Sequence, residues 1–216
     1  MTQQSASRAG ASKDDPQTSC GEASIGVQGK ASDVGAAEGD GVHSAMFQPS
    51  ATGLAAPQFG RPPKIPESVL VVIHTPQPDI EVLVIERTDF PGFWQSVTGS
   101  KDRLDEAVFD TAMRELAEET GIVVGSERVP RRALRDWHHA ITYDIYPVWR
   151  HRYAPGVTTN TEHWFSVEVP RDIPVVLSPR EHTAHAWLPL HDAAARCTSP
   201  SNAAAILALP DQLAGR

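Results

Sequence analysis

Residues 99–122, GSKDRLDEAVFDTAMRELAEETGI, limit what this chain can be more than any other stretch. Ala107, Phe109, Ala112, Met113 and Leu116 recur at helical spacing and predict a helix over Asp105–Thr120. Gly121 follows where a C-cap glycine belongs. Glu115 and Glu119 stand four residues apart on one face of that helix, with Glu118 beside them. Like charges so close repel and destabilise a bare helix. A divalent cation removes the repulsion, and Mg²⁺ suits the role because it shares its shell among carboxylates, waters and phosphates. A solvated acidic face has the same spacing, and the helix alone leaves both readings open. Arg114 is positioned to pair with Glu106 and tie the preceding loop to the helix.

The surrounding sequence alternates strands with turns. Ser68–Ile73 (SVLVVI) is a continuous apolar run, the mark of a strand covered on both faces. TPQPDI reads as a turn, and Glu81–Glu86 (EVLVIE) as a returning strand. Ile141–Trp149 and Glu162–Val169 read as two more strands joined by a Pro/Gly loop, and Ala184–Leu190 as a short one. Asp192–Cys197 and Asn202–Leu209 are alanine-rich and helical in pattern. Strands around one acidic helix, with helices near the end, make an α/β (α+β) sandwich rather than a regular βαβ series.

Composition divides the chain near Pro66. Residues 1–60 are rich in Ala, Gly, Ser and Gln, with aliphatic residues scattered out of period. Such a segment buries too little apolar surface to offset its ordering entropy, and it reads as a disordered extension before a domain over 61–216. On this reading Met46 could be the true start of translation. The net charge of −8 argues against a general nucleic-acid binder. A local metal ion and a few basic residues still reverse the field in a pocket that takes a small anion. Two cysteines, Cys20 and Cys197, fit neither a zinc site nor a disulfide framework, so a cytoplasmic protein is the default. No apolar run of membrane-spanning length and no signal peptide are present in the sequence.

The longer pattern settles what the helix leaves open. Arg114-Glu115-Leu116-Ala117-Glu118-Glu119-Thr120-Gly121-Ile122 reproduces the end of the Nudix box, REUxEExGU with U aliphatic, and Glu106 precedes Arg114 at the required spacing. The chain thus resembles the Nudix hydrolases, metal-dependent enzymes that cleave phosphoanhydride bonds. The resemblance implies a mixed β-sheet sandwiched between helices. One departure is present: six residues rather than five separate Gly99 from Glu106, which puts the geometry of the loop in question.

Further segments narrow the resemblance. Phe93–Ser100 (FWQSVTGS), His151–Thr158 (HRYAPGVT), Asn160-Thr161-Glu162, Glu181-His182 and Trp187-Leu188 look like the bacterial branch of the family that hydrolyses dihydroneopterin triphosphate in folate biosynthesis. That resemblance implies metal ligands at Glu115, Glu119 and Glu181, with Mg²⁺ or Mn²⁺ bound. It implies a substrate site lined by Lys64, Arg87, Thr98, Tyr143, Asp144, Ile145, Tyr146 and Ser199. Arg87 and Lys64 suit a triphosphate, and the tyrosines offer flat surface to a pterin ring. On the strand read over Ile141–Trp149, Tyr143 and Tyr146 lie on opposite faces, so at most one points into the pocket. Phe93 and Trp94 read as core. Glu118 is the first choice for the carboxylate that takes a proton from the attacking water, with Glu115 and Glu119 beside it. His138, His139, His151 and His163 have no ligand spacing, whereas His182 adjoins a ligand position. Two rivals remain: a Nudix pyrophosphohydrolase for nucleoside polyphosphates, and a non-catalytic nucleotide-binding Nudix module. The expected partner is a small triphosphate, with no nucleic acid and no membrane.

Overall fold

In the computed structural model the described residues are 62–215. The reading of residues 1–60 as a separate extension lies outside them. Seven strands form one mixed sheet: β1 (Glu67–His74), β2 (Glu81–Arg87), β3 (Trp94–Gln95), β4 (Val97–Ser100), β5 (Leu134–Asp144), β6 (Thr159–Glu168) and β7 (His182–Pro189). Helix α1 (Val108–Thr120) lies between β4 and β5, and α2 (Leu190–Arg196) and α3 (Pro200–Ala214) follow β7.

Strand β1 is the hub. It runs parallel to β6 over its whole length, and antiparallel to β2 and β4. Its alternate residues sort onto two cores. Val69, Val71 and Ile73 face α1 together with Phe165, Val97 and Leu116. Leu70 and Val72 face the layer of α2 and α3 together with Trp164, Ile206 and Leu209. Both faces being covered explains the continuous apolar run. Each such side chain contributes about 1.5–3 kcal/mol by leaving water. The expected sheet between helices is the observed architecture. No helix among the described residues is long and apolar enough to cross a membrane.

Boundaries differ from the sequence reading in two informative places. β5 spans Leu134–Asp144, not Ile141–Trp149; residues 147–152 form a 3-10 turn instead. Its first half was hidden because the pairing with β6 shifts between Asp136 and Ala140, where His138 takes a left-handed φ of 51°. Helix α1 begins at Val108 rather than Asp105. Gly121 closes it in the left-handed conformation, φ 70°, its N–H donating to Ala117 O at 3.0 Å.

Candidate active site

Arg114 organises the loop that precedes α1. Its guanidinium donates to Glu106 Oε1 at 3.0 Å, Glu115 Oε1 at 2.8 Å, Glu118 Oε2 at 3.2 Å and the Ser100 carbonyl at 2.9 Å. Glu106 in turn accepts the Asp102 N–H at 2.6 Å. The expected Arg114–Glu106 pair therefore forms despite the extra loop residue. The insertion is absorbed in the exposed turn that carries Leu104, 80% exposed, and leaves the start of α1 anchored.

Glu115 lies over Gly99. A Cβ on residue 99 would stand 1.8 Å from Glu115 Cδ, so only glycine leaves room for this carboxylate. Burial, and then the charge of Glu119, push the Glu115 carboxyl up to about 8, with Arg114 opposing. Glu119 is 5% exposed, and burial raises its carboxyl as well. Its Oε2 is 3.2 Å from His182 Nε2, but neither atom has an aligned hydrogen bond. Glu118 is the exposed member, 56% accessible at its side chain, and held by Arg114.

Glu181 arrives from the other side. Its carbonyl accepts the Thr88 N–H at 2.8 Å, and its own N–H donates to Ser178 O at 3.0 Å, so the loop before β7 is pinned to the end of β2. Ligand atoms of Glu119, Glu181 and His182 all lie within 4.8 Å of one another. A buried carboxylate oxygen and a buried imidazole, both without aligned partners, beside a further carboxylate, suit a divalent cation. Of the three ligands expected from sequence, Glu119 and Glu181 come together. The Glu115 carboxylate is turned toward Arg114. His182, whose 3% exposure no periodicity announced, joins the group instead.

The basic residues stand next to this cluster. Lys64 is largely buried, and its ammonium is lowered first by burial and then by Arg152; Glu115 and Glu119 pull the other way. Arg87 lies within electrostatic reach of both Lys64 and Glu119. It is held by a two-point contact with Asp89 at 2.7 Å and sits 5.2 Å over the Trp149 ring.

A polar surface continues on the α3 side of the sheet. Thr98 pairs with Leu70, which faces that layer, and accepts from Gln95 Nε2 at 3.0 Å. Tyr153, bridged to Lys64, hydrogen-bonds Ser100. Asn160 Nδ2 donates to Ser68 Oγ at 2.7 Å and to the Tyr143 hydroxyl at 3.1 Å. Tyr146 hydrogen-bonds Ser199 at the start of α3, and Glu162 lies within charge reach of both Tyr146 and Tyr143. Because β5 ends at Asp144, strand alternation does not extend to Tyr146, and both tyrosines lie within charge reach of the same carboxylate. The strand premise behind the expectation that at most one tyrosine reaches the site is therefore removed. Asp144 is exposed, and Ile145 is buried with its N–H on Thr158 O at 2.7 Å. Phe93 and Trp94 are core, as read: Phe93 meets Trp149 edge-on, and Trp94 packs toward α2 and α3.

The NUDIX domain family profile matches residues 64–209. A dihydroneopterin triphosphate diphosphatase of Escherichia coli K12 is 44% identical over 143 residues, 66% of this chain and 91% of that protein. An enzyme of the same name from Haemophilus influenzae is 41% identical over 140 residues, 65% of this chain and 84% of its own length. The solved structure of the E. coli dihydroneopterin triphosphate pyrophosphohydrolase superposes with a TM-score of 0.61 at 42% identity, covering 68% of this chain and 95% of that one.

Proposed function

The chain belongs to the Nudix family, and we propose that it hydrolyses dihydroneopterin triphosphate to dihydroneopterin monophosphate and pyrophosphate, in folate biosynthesis in the cytoplasm. It is a Nudix pyrophosphohydrolase. One juxtaposition supports the reading best: Lys64 and Arg87 stand within charge reach of glutamates that would face a divalent cation. Cations and carboxylates meeting in one partly buried place suit a metal-bound polyphosphate far better than either a bare anion or a bare metal.

Glu119, Glu181 and His182, with Glu115 adjoining, would hold Mg²⁺, or Mn²⁺ in its place. When bound, such an ion neutralises phosphate charge and acidifies a water. The chain's own groups supply the rest. Lys64 and Arg87 bind the phosphate oxygens and offset the charge that grows on the departing pyrophosphate. Glu118, solvated and oriented by Arg114, takes the proton of the attacking water. Thr98, Tyr143, Tyr146 and Ser199, with the backbone of Asp144 and Ile145, line the place where the ring lies. Phe93 and Tyr146 pack edge-on against Trp149, over whose ring the Arg87 guanidinium lies.

The test is kcat/KM for dihydroneopterin triphosphate, dATP and GTP, each with Mg²⁺ and with EDTA. The pterin triphosphate is expected to lead, with pyrophosphate as product and no turnover in chelator. A nucleotide leading the series overturns the pterin assignment, and turnover in chelator overturns the role of the glutamates.

A further inference from the structure

Glu162 is a carboxylate that the phosphate chemistry does not use. It is 3% exposed, on the α3 face of β6, beside the ring-binding residues. Its Oε1 accepts from Trp164 Nε1 at 3.2 Å, the Ser201 hydroxyl reaches the same carboxyl, and the Tyr143 hydroxyl stands 3.5 Å from Oε2. The last contact is at the limit of a hydrogen bond and is the one a better donor replaces. Its neighbour Asn160, 2% exposed, shares the Tyr143 hydroxyl and keeps its Oδ1 without a partner. Either orientation of that amide leaves one of its polar atoms unused, since its two hydroxyl partners take only one of them. A buried acceptor without a partner and, beside it, a carboxyl with one contact at the limit of a hydrogen bond are costly in a plain core. They are in place if a ligand completes them.

We propose that Glu162 is the residue that selects the ring, its carboxylate accepting from the N3–H and the exocyclic 2-amino group of a 2-amino-4-oxo-pyrimidine edge, with Asn160 alongside. The inference rests on the pterin reading. A pterin carries that pair of adjacent donors, and so does guanine. Adenine and hypoxanthine lack it. Two parallel bonds to one carboxylate match it in spacing and direction. Burial alone disfavours the ionised carboxyl, and two ring donors restore it. A site built to accept from ring N–H groups rejects rings without them, because its buried oxygens are then left bare.

The experiment uses the full chain and its Glu162→Gln variant. Substrates are dihydroneopterin triphosphate, GTP and ITP, the last being GTP without the amino group. A second readout, in EDTA, is binding of neopterin followed by its fluorescence, which involves no metal and no hydrolysis. Glu162→Gln is expected to lower kcat/KM about 10- to 100-fold for the first two substrates, to change ITP by less than about threefold, and to weaken neopterin binding in proportion. Equal losses on all three substrates, or unchanged neopterin binding, overturn the proposal and make Glu162 a structural group. If the variant melts early, Glu162→Asp keeps the charge and retracts it by one methylene; its GTP-to-ITP ratio then decides, a fall supporting the proposal and an unchanged ratio overturning it. A wild type that prefers dATP to the pterin overturns the substrate reading instead, while the GTP-to-ITP ratio still decides what Glu162 recognises.

Discussion

Gly99→Ala is a small change with a large expected effect. The new methyl would lie 1.8 Å from Glu115 Cδ, 2.0 Å from Oε1 and 2.3 Å from Oε2. Carbon atoms in contact stand at about 3.5 Å, so the carboxylate must retreat by roughly 1.5–2 Å. It is the end of a flexible side chain, and it has somewhere to go. The retreat breaks the 2.8 Å bond to Arg114, a loss of about 1.5–3 kcal/mol. It also frees a carboxylate that burial holds up at about 8, a gain of up to about 4–5 kcal/mol by pH 8. Stability at pH 8 is therefore expected to hold or to rise by up to about 3 kcal/mol. Activity has no such compensation: a displacement on this scale costs on the order of 100-fold. The assay is kcat/KM for pyrophosphate release together with Tm, repeated in a Glu115→Ala background. There the obstructed atoms are gone, so Gly99→Ala should add little to the loss already present. Activity within threefold of wild type, full additivity of the two changes, or a Tm collapse in the single variant would each refute the reasoning.

Other outcomes follow from the same geometry. In chelator, the folded Glu115 carboxyl at about 8 lies above its ordinary 4.5, so its stabilising contribution is complete below pH 4.5 and is lost as pH rises toward 8. Chemical denaturation in EDTA should show stability falling over that window, with on the order of 5 kcal/mol from this group. Glu115→Gln should flatten the slope; an equally steep slope would contradict it. Glu119→Gln is expected to reduce kcat at least about 100-fold while the chelated protein melts no earlier, because a buried charge is removed; near-normal turnover would reduce the cluster to a solvated face. Glu181→Ala should raise the Mg²⁺ concentration for half-maximal rate by about tenfold, and an unchanged Mg²⁺ titration would remove it from the ligand set.

How much was legible in the sequence depended on whether a residue's role follows from its neighbours in the chain. Helix α1 announces itself because Ala112, Met113 and Leu116 recur at helical spacing and Glu115 and Glu119 stand four residues apart, a matter of local period. The β1 run is as plain, since both its faces are covered. β3 and β4 were missed: two and four residues, Trp94–Gln95 and Val97–Ser100, are too short and too polar for alternation to register. The bulge at His138 broke the period of β5, and the strand was placed too late as a result. His182 and Glu162 belong to a third class. Each is polar and buried for reasons supplied by residues far along the chain, Glu119 for one and Tyr143 and Ser201 for the other. Resemblance reached the first as the neighbour of a ligand, and only the folded arrangement gave the second a role.

Thr98 and Gly99 are consecutive in β4, and pleating sends them to opposite sides of the sheet: Thr98 pairs with Leu70 and Gly99 with Val69. On the proposed function, the layer of the cleavage machinery and the layer of the ring pocket would thus share a seam one residue wide. Changes accumulating in α3 and the end of β5 can redirect the enzyme to a different head group while α1 keeps the same scissors. Changes in the loop from Ser100 to Glu106 touch the scissors and spare the choice of what is cut. A fold divided in this way can diversify its diet by drift on one surface under continuous purifying selection on the other.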